Sequence, residues 1–185
     1  MALILLDRYG ASPIIIGLLM TLAGVIIMIY GGLLMKPLFK IVGEKRILLI
    51  ASILLILNFL AFPFMTELWM VFAFIPSFVF SMVFLPSLIQ SNITKAVDSD
   101  KQGLVSGMTT NIQSIAQIIS PLIATGFIEI GGLTIGMIFF NPYELIGYLS
   151  VILGIGLFVI LFFDLKRHSY LYSYENSQKK SDESI

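Results

Sequence analysis

Five long apolar runs, separated by short polar breaks, constrain this chain more than any other feature of its sequence. A helix rising about 1.5 Å per residue needs about 20 apolar residues to cross the roughly 30 Å hydrocarbon core of a bilayer. Each run meets that length. The first opens at Ser12-Pro13, a capping residue followed by the proline favoured at the first helical position, and continues to about Met35. The second spans about Ile47 to Phe64, the third about Leu68 to Ile93, the fourth about Leu104 to Ile128 and the fifth about Tyr143 to Phe163. Ser99-x-x-Gln102 reads as a capping box ahead of the fourth run, and Asn141-Pro142 with Glu144 marks the start of the fifth. The expected fold class is therefore all-α, a polytopic transmembrane bundle over residues 1–165, followed by a polar tail over residues 166–185 that is expected to be disordered.

Composition supports this reading and narrows the chemistry. Hydrophobic residues make up 58% of the chain and charged residues 12%, against roughly 45–50% apolar content in soluble domains, and the mean hydropathy is +0.99. The formal net charge is zero, which gives no sign of a nucleic-acid partner. The absence of Cys removes disulfides, thiolate metal sites and thiol nucleophiles together. The opening MALILL meets Asp7 and Arg8 too soon to be a span and lacks the basic start of a signal peptide, so it reads as the last turns of a preceding element.

The few basic residues set an orientation. Lys36, Lys40, Lys45 and Arg46 fall between runs one and two, Lys95 and Lys101 between three and four, and Lys166, Arg167, Lys179 and Lys180 after run five. By the excess of Lys and Arg on cytoplasmic loops, ten of the eleven basic residues belong inside. Arg8 belongs outside with Asp7, Glu67 and Glu129, where Trp69 and Tyr143 would anchor at the interface. The expected location is the cell membrane, with the N-terminus outside and the C-terminus in the cytoplasm.

Two stretches carry a family resemblance. KPLFKIVGEKR, residues 36–46, preceded by Gly31-Gly32, resembles the cytoplasmic loop that joins the eighth and ninth helices of the major facilitator superfamily, G-P-L-x-x-R-x-G-E-R-R. Pro37, Leu38, Gly43, Glu44 and Arg46 match, Lys40 and Lys45 match approximately, and Lys36 replaces the usual small residue. Residues 85–127 look like the tenth and eleventh helices of the drug:proton antiporters of that superfamily. They carry Pro86-x-Leu88, the loop Val97 to Gln102-Gly103 to Gly107, and Ser120-Pro121-Leu122. Residues 7–19, DRYGASPIIIGLL, resemble the turn between helices seven and eight. The resemblance covers about residues 3–165 and implies a partial major facilitator fold, helices eight to twelve, in a transporter of small solutes or drugs. It also implies a separate chain supplying the missing half.

Residue patterns suggest roles within that frame. Gly17, Gly24 and Gly31 repeat every seven residues along run one, a stripe suited to close helix packing in lipid, and Gly147 and Gly154 repeat it weakly in run five. Runs two and five are otherwise almost wholly apolar and are expected to face lipid on most sides. In run four, Ser106, Thr110, Gln113, Gln117 and Ser120 share one helical face, and in run three Ser77 and Ser81 lie one turn apart. Amides are costly against lipid, so they point either to neighbouring helices or to a wet cavity. The resemblance favours the second, because the family's tenth and eleventh helices border the substrate path. This makes Ser77, Ser81, Thr110, Gln113 and Gln117 the candidate path residues, while Gln90, near the cytoplasmic end, is expected to be solvated. Pro76, Pro86 and Pro121 are expected to interrupt their helices.

Equally informative is the chemistry that the runs lack. No Asp, Glu, Lys, Arg or His lies deep in a run, so there is no proton relay within them and neither base nor ligands for an intramembrane hydrolase or metal enzyme. Asp98-Ser99-Asp100 reads as helix capping rather than a cation site, and no cofactor is expected. The other classes left open are a membrane assembly subunit that moves nothing and an inactive gene remnant.

Overall fold

The computed structural model describes residues 5–6, 9–131, 133–135 and 138–167. The expectations for Asp7, Arg8, His168 and the tail with Lys179 and Lys180 lie outside these residues. Among the described residues five membrane-length helices form the bundle: α1 (Pro13–Ile41), α2 (Glu44–Ala61), α3 (Leu68–Lys95), α4 (Gln102–Ile130) and α5 (Pro142–Arg167). A 3-10 turn, Phe62–Phe64, extends α2 towards the 65–67 turn. Among the described residues the one departure from an all-α chain is a short antiparallel ribbon, β1 (Leu133–Ile135) with β2 (Ile138–Phe140), in the connection between α4 and α5.

Local chemistry explains most of the ends. The Ser12 hydroxyl accepts from the Ile15 N–H, with Pro13 at the first helical position, as the sequence predicts. At α5, the Glu144 carboxylate accepts from the Asn141 N–H, half of a capping box. The box expected from Ser99 does not form. Asp98 to Lys101 is instead a turn closed by the Lys101 N–H on the Asp98 carbonyl, and α4 starts without a side-chain cap. Gly131 ends α4 at φ +75, and Gly43 precedes α2 at φ +88, two backbone conformations that favour glycine.

The prolines do not interrupt their helices. Both α3, with Pro76 and Pro86, and α4, with Pro121, run unbroken. Serine hydroxyls bond to carbonyls beside two of these prolines: Ser87 donates to the Val83 carbonyl at 2.6 Å and Ser120 to that of Ala116 at 2.7 Å. The first helix also outruns its expected end at Met35. A π segment, Ile29–Leu34, contains Gly31-Gly32 and carries the helix on to Ile41, so Lys36, Pro37 and Lys40 are helical rather than in a loop. Pro37 sits just after the change of register, where the hydrogen-bond ladder is already discontinuous.

The core has two parts, one between α2, α3 and α5 and one where Leu19 of α1 meets Val71, Ile75 and Val79 of α3. One cluster joins Ile47, Leu48 and Ala51 of α2, Phe84, Leu85 and Leu88 of α3, and Leu161 and Leu165 of α5. Tyr30 of α1 meets Phe80 edge-on at 5.6 Å, and Phe80 lies 4.4 Å from Phe84, which ties the π segment to α3. The second run is thus packed on one side against α3 and α5 rather than facing lipid on most sides: Ala51, Ser52 and Asn58 are buried, while Ile50, Ile53, Leu57 and Leu60 form an exposed apolar face. Helix α5 approaches α2 closely at its glycines. A Cβ on Gly147 would lie 2.7 Å from Pro63 Cγ, and one on Gly154 would lie 3.1 Å from Ile56 Cγ1. On α1 the stripe is open: among the described residues nothing comes within 4 Å of a Cβ placed on Gly17 or Gly24, and at Gly31 only Val83 comes near, at 4.0 Å.

Candidate functional site: a polar helix face beside an uncharged groove

Helix α4 contributes little to the core. None of its described residues is buried, and every residue from Thr110 to Leu122 is exposed. Its polar face forms because the residues fall at alternating steps of three and four, which one side of an α-helix collects. Thr110 and Ser120 turn their hydroxyls back onto the Ser106 and Ala116 carbonyls. Gln113 and Gln117 have longer side chains and stand on the open surface.

A groove of about 420 Å³ runs between α3 and α4 and is floored by α2 and α5. Gln113, Thr109, Gln90 and Ser81 border it, together with Phe78 and Met82. Among the described residues no charged side chain lines it. Gln117 and Thr110 lie on the same helix face outside its rim. Gln90 is not simply solvated: its amide donates to the Ser106 hydroxyl at 3.2 Å and joins α3 to α4.

Ser77 and Ser81 are held in the seam between α2 and α3. The Ser81 hydroxyl is fully buried and donates to the Ala51 carbonyl at 2.8 Å, and Ser77 accepts from the Asn58 amide at 2.9 Å. Asn58 lay in a run that the sequence pattern marks as apolar, and only its burial of an amide in such a run signals a partner.

At the basic end, Glu44 is 4% exposed and accepts from the Lys95 ammonium at 2.9 and 3.1 Å. This pair staples the start of α2 to the end of α3. It also gives the G-E-K-R motif a structural role, with Gly43 supplying the turn that lets Glu44 face inward. Lys36, Lys40 and Arg46 are exposed around it, and Lys45 is half-buried. Among the described residues no group of acids and histidines could hold a metal ion.

The family follows from comparison with known sequences. The profile of the Major Facilitator Superfamily matches residues 1–181. The chain belongs to the major facilitator superfamily. Within it, the chain is 29% identical over 130 residues to the class G tetracycline resistance protein of Vibrio anguillarum, covering 70% of this chain and 32% of that protein. The class C tetracycline resistance protein of Escherichia coli is 28% identical over 119 residues, 64% of this chain and 30% of its own length. The matched stretch thus spans about a third of these relatives. No solved structure gives a significant match. A superfamily member with five apolar helices of membrane length is an integral membrane protein.

Proposed function

We propose that this chain is a C-terminal-half portion of a secondary transporter. In this reading it moves a small solute or drug by alternating access, and the polar face of α4 lines the solute path against a complementary half. The observation that carries the reading is the open position of Gln113 and Gln117. Two amides on a membrane helix, uncovered within the described bundle, would be costly against lipid, so a wet path or further protein must meet them. The similarity to tetracycline resistance proteins supports a drug-type substrate. The lack of acids and bases deep in the helices leaves coupling to residues of the complementary half and offers no group for enzymatic chemistry here.

The test is transport by the chain assembled with the complementary half of a related transporter. Gln113→Ala and Gln117→Ala should change substrate affinity or range and leave the thermal stability of the assembly unchanged, because a wet path hydrates what remains. Ser114→Ala, whose hydroxyl bonds only its own helix at Thr110, should change neither. If the amides instead bond to neighbouring helices, each change costs about 0.6 to 1.7 kcal/mol of stability with no selective effect on substrates. A stability loss that accounts for the whole loss of transport would overturn the path reading.

The proposed orientation puts the N-terminus outside and the Glu44–Lys95 end in the cytoplasm of a cell-membrane protein. In this Cys-free chain, Arg8→Cys and Glu129→Cys should react with an impermeant thiol reagent on intact cells. Lys45→Cys and Lys101→Cys should react only after permeabilisation. Labelling at 45 without labelling at 129 would reverse the orientation.

A further inference from the structure

The last turns of α1 carry a positive face that neither the core nor the transport reading uses. The π segment Ile29–Leu34 leads the helix on through Met35–Ile41, so Lys36 and Lys40 stand one helical turn apart instead of in a loop. Met35, Leu38 and Phe39 of these turns pack against the core cluster. Lys36, Pro37, Lys40 and Ile41 take the other side and are all exposed, with Leu33 exposed just before them. Two like charges at this spacing repel each other and weaken a helix unless an anion meets them. The described residues supply none. Neither lysine has an ion-pair partner among them, and Glu44, the nearest acid in sequence, gives both oxygens to Lys95. Depth matters too. At about 1.5 Å per residue, Lys36 stands roughly 35 Å along α1 from Pro13, past a hydrocarbon core of about 30 Å and so at the level of the lipid headgroups. Lys36 also stands where the family's loop usually has a small residue, so the pair is this chain's own feature.

We propose that this face binds one anionic phospholipid. The lipid phosphate lies between the Lys36 and Lys40 ammonium groups, and an acyl chain runs past Leu33 into the bilayer. Spacing allows a shared phosphate: side chains one turn apart leave the helix about 5–6 Å from each other, and each ammonium offers three donors. Charge selects the anionic class, because a zwitterionic lipid brings a cation of its own to a face that already carries two. A lipid is favoured over a soluble phosphate because the lysines sit at headgroup depth and Leu33, 70% exposed on the bilayer side of them, gives an acyl chain its contact. This site is independent of the transport reading and needs only that α1 crosses the membrane.

The full chain in detergent micelles is titrated with phosphatidylglycerol or with phosphatidylcholine of the same acyl chains, and bound lipid is counted by native mass spectrometry. Lys36→Gln and Lys40→Gln should each lower the affinity for phosphatidylglycerol about fivefold, and both together about 25-fold, down to that of phosphatidylcholine. Lys36→Arg keeps the charge and should keep the binding. Arg167→Gln removes the same charge from an exposed position on α5, whose Leu165 packs in the same core cluster as Phe39, and should change nothing. Every substituted side chain is exposed, so thermal unfolding in phosphatidylcholine should be the same for all variants. Equal binding of the two lipids by the parent chain would overturn the proposal. So would an effect of Arg167→Gln as large as that of Lys36→Gln, which would mark diffuse attraction to the whole basic end. Displacement of phosphatidylglycerol by equimolar glycerol 3-phosphate would make this a site for a soluble phosphate and would overturn the lipid assignment as well.

Discussion

Replacing Lys95 with Met should lower the stability of the chain by about 3 kcal/mol, and replacing Glu44 with Gln should cost nearly as much. Glu44 begins α2 at 4% exposure, and both of its oxygens accept from the Lys95 ammonium. Removing one partner of such a pair leaves the other charge buried without compensation, which costs about 3–5 kcal/mol. The lower end applies because the Lys95 side chain keeps 19% of its surface and so retains some water. The paired change Glu44→Leu with Lys95→Met should recover most of the loss, since a well-packed apolar pair replaces both charges without stranding either. Asp98→Asn provides the contrast: its bridge to Lys101 is 3.5 Å long between side chains that are 79% and 60% exposed, and removing it should cost about 0–1 kcal/mol. Detergent-driven unfolding in mixed micelles reads all four variants. Equal, small effects for Lys95→Met and Asp98→Asn would show that the buried pair is no more than a surface contact.

That staple illustrates what was and was not legible in the sequence. The number and order of the helices were, because a bilayer demands long apolar runs and the runs are separated by polar breaks. Helix starts were legible where the capping residue stands directly before the run, as at Ser12 and Asn141, and not at Ser99, where a turn takes the same residues. The course of α1 through Lys36 and Pro37 was hidden because proline signals a break, and only the π segment over Gly31-Gly32 makes a place for it. The ribbon after α4 has a local signal, β-branched and aromatic residues between Gly131, Gly136 and Asn141, which the dominant hydropathy pattern obscures. Partnerships were the least legible. Glu44 and Lys95 are 51 residues apart, and the Asn58 bond to Ser77 joins two runs whose own patterns give no register between them. On α4 the polar face was readable from spacing alone, but its openness is a property of the bundle.

Gly147→Leu should disrupt the bundle, at a cost of about 3 kcal/mol or more, whereas Gly17→Leu in the same chain should leave it intact. Sequence regularity points the other way, because the repeat of Gly17, Gly24 and Gly31 is strict and that of Gly147 and Gly154 is weak. What decides is the neighbour. At Gly147 even a methyl group would stand 2.7 Å from Pro63 Cγ, 3.0 Å from its Cδ and 3.4 Å from the Phe59 carbonyl oxygen. Pro63 is buried and rigid, and the carbonyl belongs to the helix backbone, so neither yields and α5 must move away from α2. That movement opens the cluster in which Leu161 and Leu165 meet Ile47 and Leu48. In lipid such packing is the main cohesion between helices, since leaving the core for acyl chains carries no hydrophobic penalty. At Gly17 a side chain enters open space, and leaving glycine raises helix propensity by up to about 1 kcal/mol. Thermal unfolding of the two variants in nanodiscs separates these outcomes, and a Gly147→Leu chain as stable as the parent would disprove the close packing of α2 on α5. Reassembly adds a second reading. If the open glycine stripe of α1 receives a helix of the complementary half, Gly17→Leu should abolish assembly and transport while the chain itself stays folded. An assembly indifferent to Gly17→Leu would leave the stripe facing lipid.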